Sequence, residues 1–121
     1  MRALIVESAT ELAQLWQRHL ERAGIETRLA TGQTDAVAHL QQTTFDILIL
    51  DLVLTEGSAI AIADFANYKQ PHARVISVTN TSFFSDGSIF QHLPNACAFV
   101  QSDAPPDDLL AMVEHYGRVA S

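Results

Sequence analysis

The residues of this chain best suited to chemistry are polar side chains that directly follow short apolar runs. They are Glu7, Ser8, Asp51, Thr79, Asn80, Gln101 and Ser102. Asp51 is the most informative of them, because it ends the run Phe45-Asp46-Ile47-Leu48-Ile49-Leu50. Removing a carboxylate from water costs free energy, so a charge at such a point is usually paired or used for binding. The alternative is that Asp51 only stabilises the turn that follows it.

The apolar runs themselves indicate how these side chains are brought together. Runs without alternation are typical of strands that are covered on both faces, as in the middle of a parallel sheet. Such strands are predicted at residues 2–6, 25–29, 45–51, 74–78 and 97–100, and segments with helical patterns separate them. Strand–helix alternation predicts a parallel sheet with helices on both faces. In open sheets of this kind the ligand crevice lies at the carboxyl ends of the strands.

The helical segments have recognisable ends. The first helix follows Ser8 and stops at Gly24, the second covers about residues 32–42, and the third covers 59–68. The final helix opens at Pro105-Pro106 and is expected to end at Gly117. Residues 83–93 have a poor helical pattern, which predicts a short or irregular helix there.

Composition excludes several classes of function. The chain has 121 residues, 48% of them apolar, and a net charge of −7, which argues against direct nucleic-acid binding. No apolar run approaches the roughly 20 residues of a membrane span. The chain begins without a basic leader, and Cys97 is its one cysteine, so we expect a cytoplasmic protein with a buried, unreactive thiol. The five histidines show no metal-ligand spacing.

Several motifs, in this order, carry a family resemblance. They are Leu4-Ile5-Val6-Glu7, the segment from Phe45 through Asp51 to Leu54, the loop Thr55-Glu56-Gly57-Ser58-Ala59, Thr79 after the fourth strand, and Phe99 two residues before Gln101. With them the chain resembles the receiver domain of response regulators, the phosphoacceptor module of bacterial two-component systems. The resemblance covers essentially the whole chain and implies a single receiver-like domain over residues 1–121. It implies a flavodoxin-like three-layer α/β sandwich, with five parallel strands in the order 2-1-3-4-5 and five helices.

The resemblance also implies a mechanism. Asp51 would accept a phosphoryl group from a histidine kinase. Mg²⁺ would be held by acidic residues after the first strand, here Glu7, together with Asp51 and the backbone carbonyl of Val53. Thr79 would bind the phosphoryl group, and a Lys on the fifth strand would pair with it. A hard cation and a fixed ammonium neutralise charge on the transferring phosphoryl oxygens.

The sequence departs from that pattern at the pocket. Ser8 stands where the family usually has a second metal carboxylate, and Ser8-x-x-Glu11 also fits a capping box for the first helix. Gln101 replaces the Lys, so its hydrogen bonds lack a positive charge and are weaker. Asn80 replaces a small residue and either narrows access to Asp51 or donates a hydrogen bond there. We therefore expect a degenerate pocket with a weak Mg²⁺ site at most.

Aromatic residues suggest where a partner could bind. Phe83, Phe84 and Phe90 fall in the region that forms the signalling face of receivers, together with Phe99 of the fifth strand. An exposed apolar patch of this kind marks a partner or dimer surface. The alternative is that most of these side chains belong to the core.

The function predicted from the sequence is a non-enzymatic, receiver-like signalling module that acts through protein–protein interaction, with phosphorylation weak or absent. Its partner would be a histidine kinase, an output protein or a second copy of the chain. The alternative is a working response regulator receiver that a histidine kinase phosphorylates on Asp51. A third hypothesis is that the chain is the receiver of a longer regulator.

Overall fold

Strands and helices alternate along the chain, as the sequence predicts. The computed structural model describes residues 1–79 and 96–119, without the side chains of 118 and 119. The elements are β1 (Arg2–Val6), α1 (Thr10–Arg22), β2 (Glu26–Ala30), α2 (Gln33–Gln42), β3 (Ile47–Asp51), α3 (Ala59–Lys69), β4 (Arg74–Thr79), β5 (Ala96–Gln101) and α4 (Pro106–Val119). The described residues therefore contain four helices, and the fifth helix predicted near 83–93 lies outside them.

All five strands form one parallel sheet in the order β2-β1-β3-β4-β5, which confirms the predicted architecture. The central strand β3 pairs with β1 through Ala3↔Ile47 and with β4 through Ile47↔Arg74. It begins at Ile47, later than the predicted start at Phe45. The reason is that the backbone N–H of Phe45 donates to the side chain of Gln70, at 2.7 Å, and not to a neighbouring strand.

Alternate residues of the central strand pack into two separate cores. Leu48 and Leu50 point to the side covered by α2 and α3, whereas Ile47 and Ile49 point to the side covered by α1 and α4. All four side chains are fully buried. A strand that is covered on both faces has no solvent side, and this explains why its sequence is an unbroken apolar run.

The ends of α1 and α4 differ in how well the sequence predicts them. Gly24 follows α1 with φ +84° and completes a Schellman motif, since the N–H of Ile25 donates to Leu20 O and the N–H of Gly24 to Glu21 O. In contrast, α4 does not stop at Gly117 but continues to Val119. Gly117 keeps a negative φ, and its missing side chain leaves room for the Sδ atom of Met1. In the described part of the chain, no helix is long and apolar enough to cross a membrane.

Candidate functional site

The carboxyl ends of the strands bring the predicted pocket residues to one edge of the sheet. Glu7 directly follows β1, and its N–H still donates to Ala30 O of β2, at 3.0 Å. Asp51 ends β3 opposite Val78. Thr79 ends β4 opposite Gln101, the last residue of β5. The strand order reverses its direction between β1 and β3, so Glu7 and Asp51 flank the switch point where such sheets bind ligands.

Glu7 and Asp51 form a pair of neighbouring carboxyl groups at this edge. Glu7 is only 3% exposed. Its Oε2 accepts from the N–H of Ala9 at 3.1 Å, while its Oε1 is buried and receives no hydrogen bond from a donor in the described residues. Two ionised carboxylates are both acceptors, so Oε1 can bond to Asp51 only when the pair holds a proton.

The electrostatic environment of Glu7 favours the protonated form of its carboxyl group. Burial, a hydrogen bond to Asp51 and the negative charge of Asp51 raise the pKa of Glu7 from 4.5 to about 8. The Asp51 carboxylate is half-buried, and its Oδ1 accepts from the N–H of Val53 at 2.9 Å. At neutral pH the raised pKa of Glu7 therefore favours its protonated form, which can donate to Asp51.

Ser8 does not cap the first helix, so that prediction is wrong. The N-cap of α1 is Ala9, and no side chain caps the helix there. The hydroxyl of Ser8 instead donates to Thr31 O at 2.8 Å and accepts from the N–H and the Oγ1 of Thr55, at 3.0 and 3.2 Å. Ser8 lies one residue before the N-cap, and its hydroxyl is used by the loops that follow β2 and β3.

A second set of hydrogen bonds ties the loop between β3 and α3 to the first turn of α2. The carboxylate of Glu56 accepts from the N–H of Thr34 at 3.0 Å, and Glu56 O accepts from the N–H of Gln33 at 3.1 Å. In return, Gln33 Oε1 accepts from the N–H of Ser58 at 2.9 Å. Gly57 has φ +82° and lies so close to Gln33 that a side chain would overlap it. Hydrogen bonds donated in both directions thus hold the loop against the first turn of α2.

Sequence reasoning missed this second attachment. No spacing rule pairs Gln33 and Thr34 with Glu56 and Ser58, because the residues are more than twenty positions apart. The signal that was available is Gly57, because a glycine in a loop often marks a point where the backbone adopts a positive φ or lies close to another segment.

The other predicted site residues lie around this pair. Thr79 is fully buried at the end of β4, whereas Gln101 is exposed at the end of β5. Val53, two residues after Asp51, is 56% exposed. Phe99 is half-buried in β5 opposite Ser77. Asn80, Phe83, Phe84 and Phe90 lie outside the described residues.

The donor set at this edge fits Mg²⁺ poorly. A hydroxyl oxygen has one proton to donate and two lone pairs to accept with, and Ser8 uses all three. Ser8 could therefore bind a cation only by giving up a contact to Thr55. Glu7, Asp51 and the carbonyl of Val53 remain as oxygen ligands. Within residues 1–79 and 96–119, no group of three or more His, Cys, Asp and Glu side chains is placed to hold a metal.

Fold and site together define a flavodoxin-like α/β protein with an acidic pocket at its switch point. The family model described as the response regulator receiver domain matches residues 3–114, and the chain belongs to that family. It is thus the receiver domain of a two-component response regulator, as the sequence motifs indicate. Receiver domains are signalling modules.

Individual relatives are more distant. The chain is 27% identical over 78 residues to the response regulator protein PilR of Pseudomonas aeruginosa, a match that covers 64% of this chain and 18% of PilR. The fold is similar to that of a CheY-like receiver domain protein from Methanospirillum hungatei, with a TM-score of 0.89, 23% identity, and 98% and 94% of the two chains covered.

A Burkholderia pseudomallei response regulator crystallised with a phosphorylated aspartic acid, a calcium ion and citrate is also similar. Its TM-score is 0.81 at 22% identity, over 98% of this chain and 69% of that one. At these identities the two solved structures establish the fold and nothing further.

Proposed function

We propose that this receiver domain acts by binding a protein partner, with phosphorylation of Asp51 weak or absent. The observation that carries the proposal is the Ser8 hydroxyl, whose hydrogen-bonding capacity is fully used by Thr31 and Thr55. A carboxylate at this position could bind a cation, but the hydroxyl serves to connect two loops.

A second observation supports the proposal. Gln101, at the end of β5, is neutral and exposed, so the pocket has no fixed ammonium to stabilise a transferring phosphoryl group. Compared with the family pattern, the pocket thus lacks one carboxylate that would help to hold Mg²⁺ and the ammonium that would offset a phosphorylated Asp51. Losing both contacts should reduce the stabilisation of the transition state for phosphoryl transfer by on the order of several kcal/mol.

The alternative function, a receiver that a histidine kinase phosphorylates on Asp51, has one geometric observation in its favour. Asp51 is half-buried at the switch point with Glu7 beside it and Thr79 at the end of the adjacent strand. These are the positions that the family resemblance assigns to the acceptor, a metal ligand and the phosphoryl-binding hydroxyl.

Intact-mass analysis after incubation with acetyl phosphate, with and without Mg²⁺, tests the two functions. We expect no gain of a phosphoryl group in the wild type. A Mg²⁺-dependent gain that disappears in Asp51→Asn would refute the proposal and establish the alternative.

The double variant Ser8→Asp with Gln101→Lys refines the test. Under our proposal it gains Mg²⁺-dependent phosphorylation, because a metal carboxylate and an ammonium are restored. If neither protein is modified, the pocket is inactive for a reason other than these two residues.

The wider setting is also proposed. We place the domain in the cytoplasm as a single unit over its 121 residues, with a histidine kinase, an output protein or a second copy as its partner. The chain covers 18% of the curated relative PilR, which is consistent with a receiver that belongs to a longer regulator.

A further inference from the structure

We propose that the pocket between Glu7 and Asp51 receives a Lys or Arg side chain from a partner protein, which supplies the positive charge that the pocket lacks. This inference rests on the proposed function and specifies the chemistry of its partner. Three features support it: the distribution of charge, the buried oxygen of Glu7 and the access to the pocket.

The first feature is the complete separation of basic residues from the pocket edge. Acidic residues occupy the loops after the strands and the helical turns that follow: Glu7, Glu11, Asp35, Asp51, Glu56, Asp103, Asp107 and Asp108. In the described elements every Lys and Arg lies elsewhere: Arg2, Arg28 and Arg74 within strands, Arg18 and Arg22 in the second half of α1, and Lys69 and Arg118 near the ends of α3 and α4. Residues 80–95 contain no Lys or Arg in the sequence. Within the described residues, no Lys or Arg side chain therefore stands at this edge of the sheet.

The second feature is Oε1 of Glu7, a carboxylate oxygen that is buried without a donor in the described structure. Glu7 is 3% exposed and its side chain lies within hydrogen-bond reach of Asp51, so one entering group could contact both carboxyl groups. A second ionised carboxylate is costly to bury beside Asp51, so Glu7 favours a proton, and a charge-assisted hydrogen bond from an entering cation could take the place of that proton. An ammonium carries three donors and no acceptor, so it can bond both carboxylates at once.

The third feature is access. Asp51 is half-buried, and the next exposed side chain along the loop is Val53, which is 56% exposed. Lys and Arg cover apolar surface with their aliphatic stems while their charged heads reach polar groups. An entering side chain could pack its stem on Val53 and place its head between the carboxylates.

A protein cation suits this site better than Mg²⁺ does. Mg²⁺ demands near-octahedral oxygen coordination, and the Ser8 hydroxyl cannot contribute without breaking its contact to Thr55. An ammonium or guanidinium needs only hydrogen-bond acceptors, and Glu7 and Asp51 provide them.

The test is an NMR titration of the full 121-residue chain, labelled with ¹⁵N, with a hexalysine peptide at about 150 mM salt. Two amides report on the pocket directly, because the N–H of Ala9 donates to Glu7 and that of Val53 donates to Asp51. We expect saturable shifts at these two amides. Hexalysine acetylated on every Nε has lost its side-chain charges and should leave these two amides unmoved.

Matched variants separate the pocket from general attraction between opposite charges. Glu7→Gln and Asp51→Asn each remove one carboxyl group with which a bound ammonium could form an ion pair, and each should weaken hexalysine binding about tenfold. Asp103→Asn removes one carboxyl group from an exposed position in the loop before α4 and should weaken binding less than about twofold.

Three results would overturn the inference. The first is equal weakening of hexalysine binding by Asp103→Asn and by Glu7→Gln. The second is a set of chemical-shift changes that spread over the acidic surface but spare the amides of Ala9 and Val53. The third is a chemical-shift change at these two amides with Mg²⁺ alone and none with hexalysine. The titration contains no phosphodonor, so its outcome is separate from the mass analysis that tests the proposed function.

Discussion

Replacing Glu7 by Gln should stabilise the domain at neutral and alkaline pH and should remove much of its pH dependence. Folding raises the pKa of Glu7 from 4.5 to about 8, because the side chain is buried beside the negative charge of Asp51. Below pH 4.5 the carboxyl group is protonated in both the folded and the unfolded chain. Between pH 4.5 and 8 the unfolded chain releases the proton and the folded chain keeps it, so the free energy of unfolding falls as pH rises.

The size of the effect follows from the same values. Each pKa unit corresponds to about 1.4 kcal/mol, so the whole window sets an upper bound of about 5 kcal/mol. Because Asp51 is half-exposed and water reaches the pair, we expect the wild type to lose about 2–4 kcal/mol between pH 5 and pH 8. Gln is neutral at every pH and its amide can donate to Asp51, so the variant should avoid this loss.

Urea unfolding at pH 5, 6.5 and 8 measures the difference. Trp16 is the single tryptophan of the chain and is 3% exposed, which makes its fluorescence a sensitive probe of unfolding. Asp103→Asn, at an exposed acid, serves as the matched control and should follow the wild type. The reasoning would be refuted by a Glu7→Gln variant that loses as much stability as the wild type between pH 5 and 8.

Three further substitutions test contacts that position the site. Ser8→Ala removes the hydrogen bonds to Thr31 and Thr55, and we expect a loss of about 1–2 kcal/mol and faster hydrogen exchange at the Thr55 amide. Gln70→Leu leaves buried backbone groups of three residues unpaired and should cost about 3 kcal/mol in urea unfolding. Gly57→Ala should cost at least about 1 kcal/mol more in thermal or urea unfolding than Gly24→Ala, which has a similar positive φ but open space around it.

The outcomes that contradict these expectations are specific. Unchanged exchange at the Thr55 amide in Ser8→Ala would mean that Ser8 does not hold the loop. Wild-type stability of Gln70→Leu would mean that the backbone groups find other partners. Equal costs for the two glycine substitutions would mean that the loop can move away from Gln33.

The sequence by itself determined the sheet and its edge. The apolar run before Asp51 is typical of a strand that is covered on both faces, and β3 is that strand, with Ile47 to Leu50 fully buried. Local chemistry also predicted the end of α1, because Gly24 is the residue that best adopts a positive φ. The motifs from Glu7 to Thr79 identified the family, since they follow the chain in a fixed order.

What tertiary structure decided is the partner of each polar side chain. Ser8 looked like a helix cap because Glu11 follows at the right spacing, yet its hydroxyl bonds Thr31 and Thr55. Gln70 carried no sequence signal, but it is 6% exposed and its side chain bonds the backbone of Leu40, Thr43 and Phe45.

The physical reason is that secondary structure follows from periodic patterns along the chain, which are local. A hydrogen bond between residues 8 and 55 depends instead on the sheet having brought two loops together. The same holds for the carboxyl pair of Glu7 and Asp51. Sequence placed both groups at one edge, and only the folded chain shows that Glu7 is buried there with its Oε1 lacking a donor in the described residues.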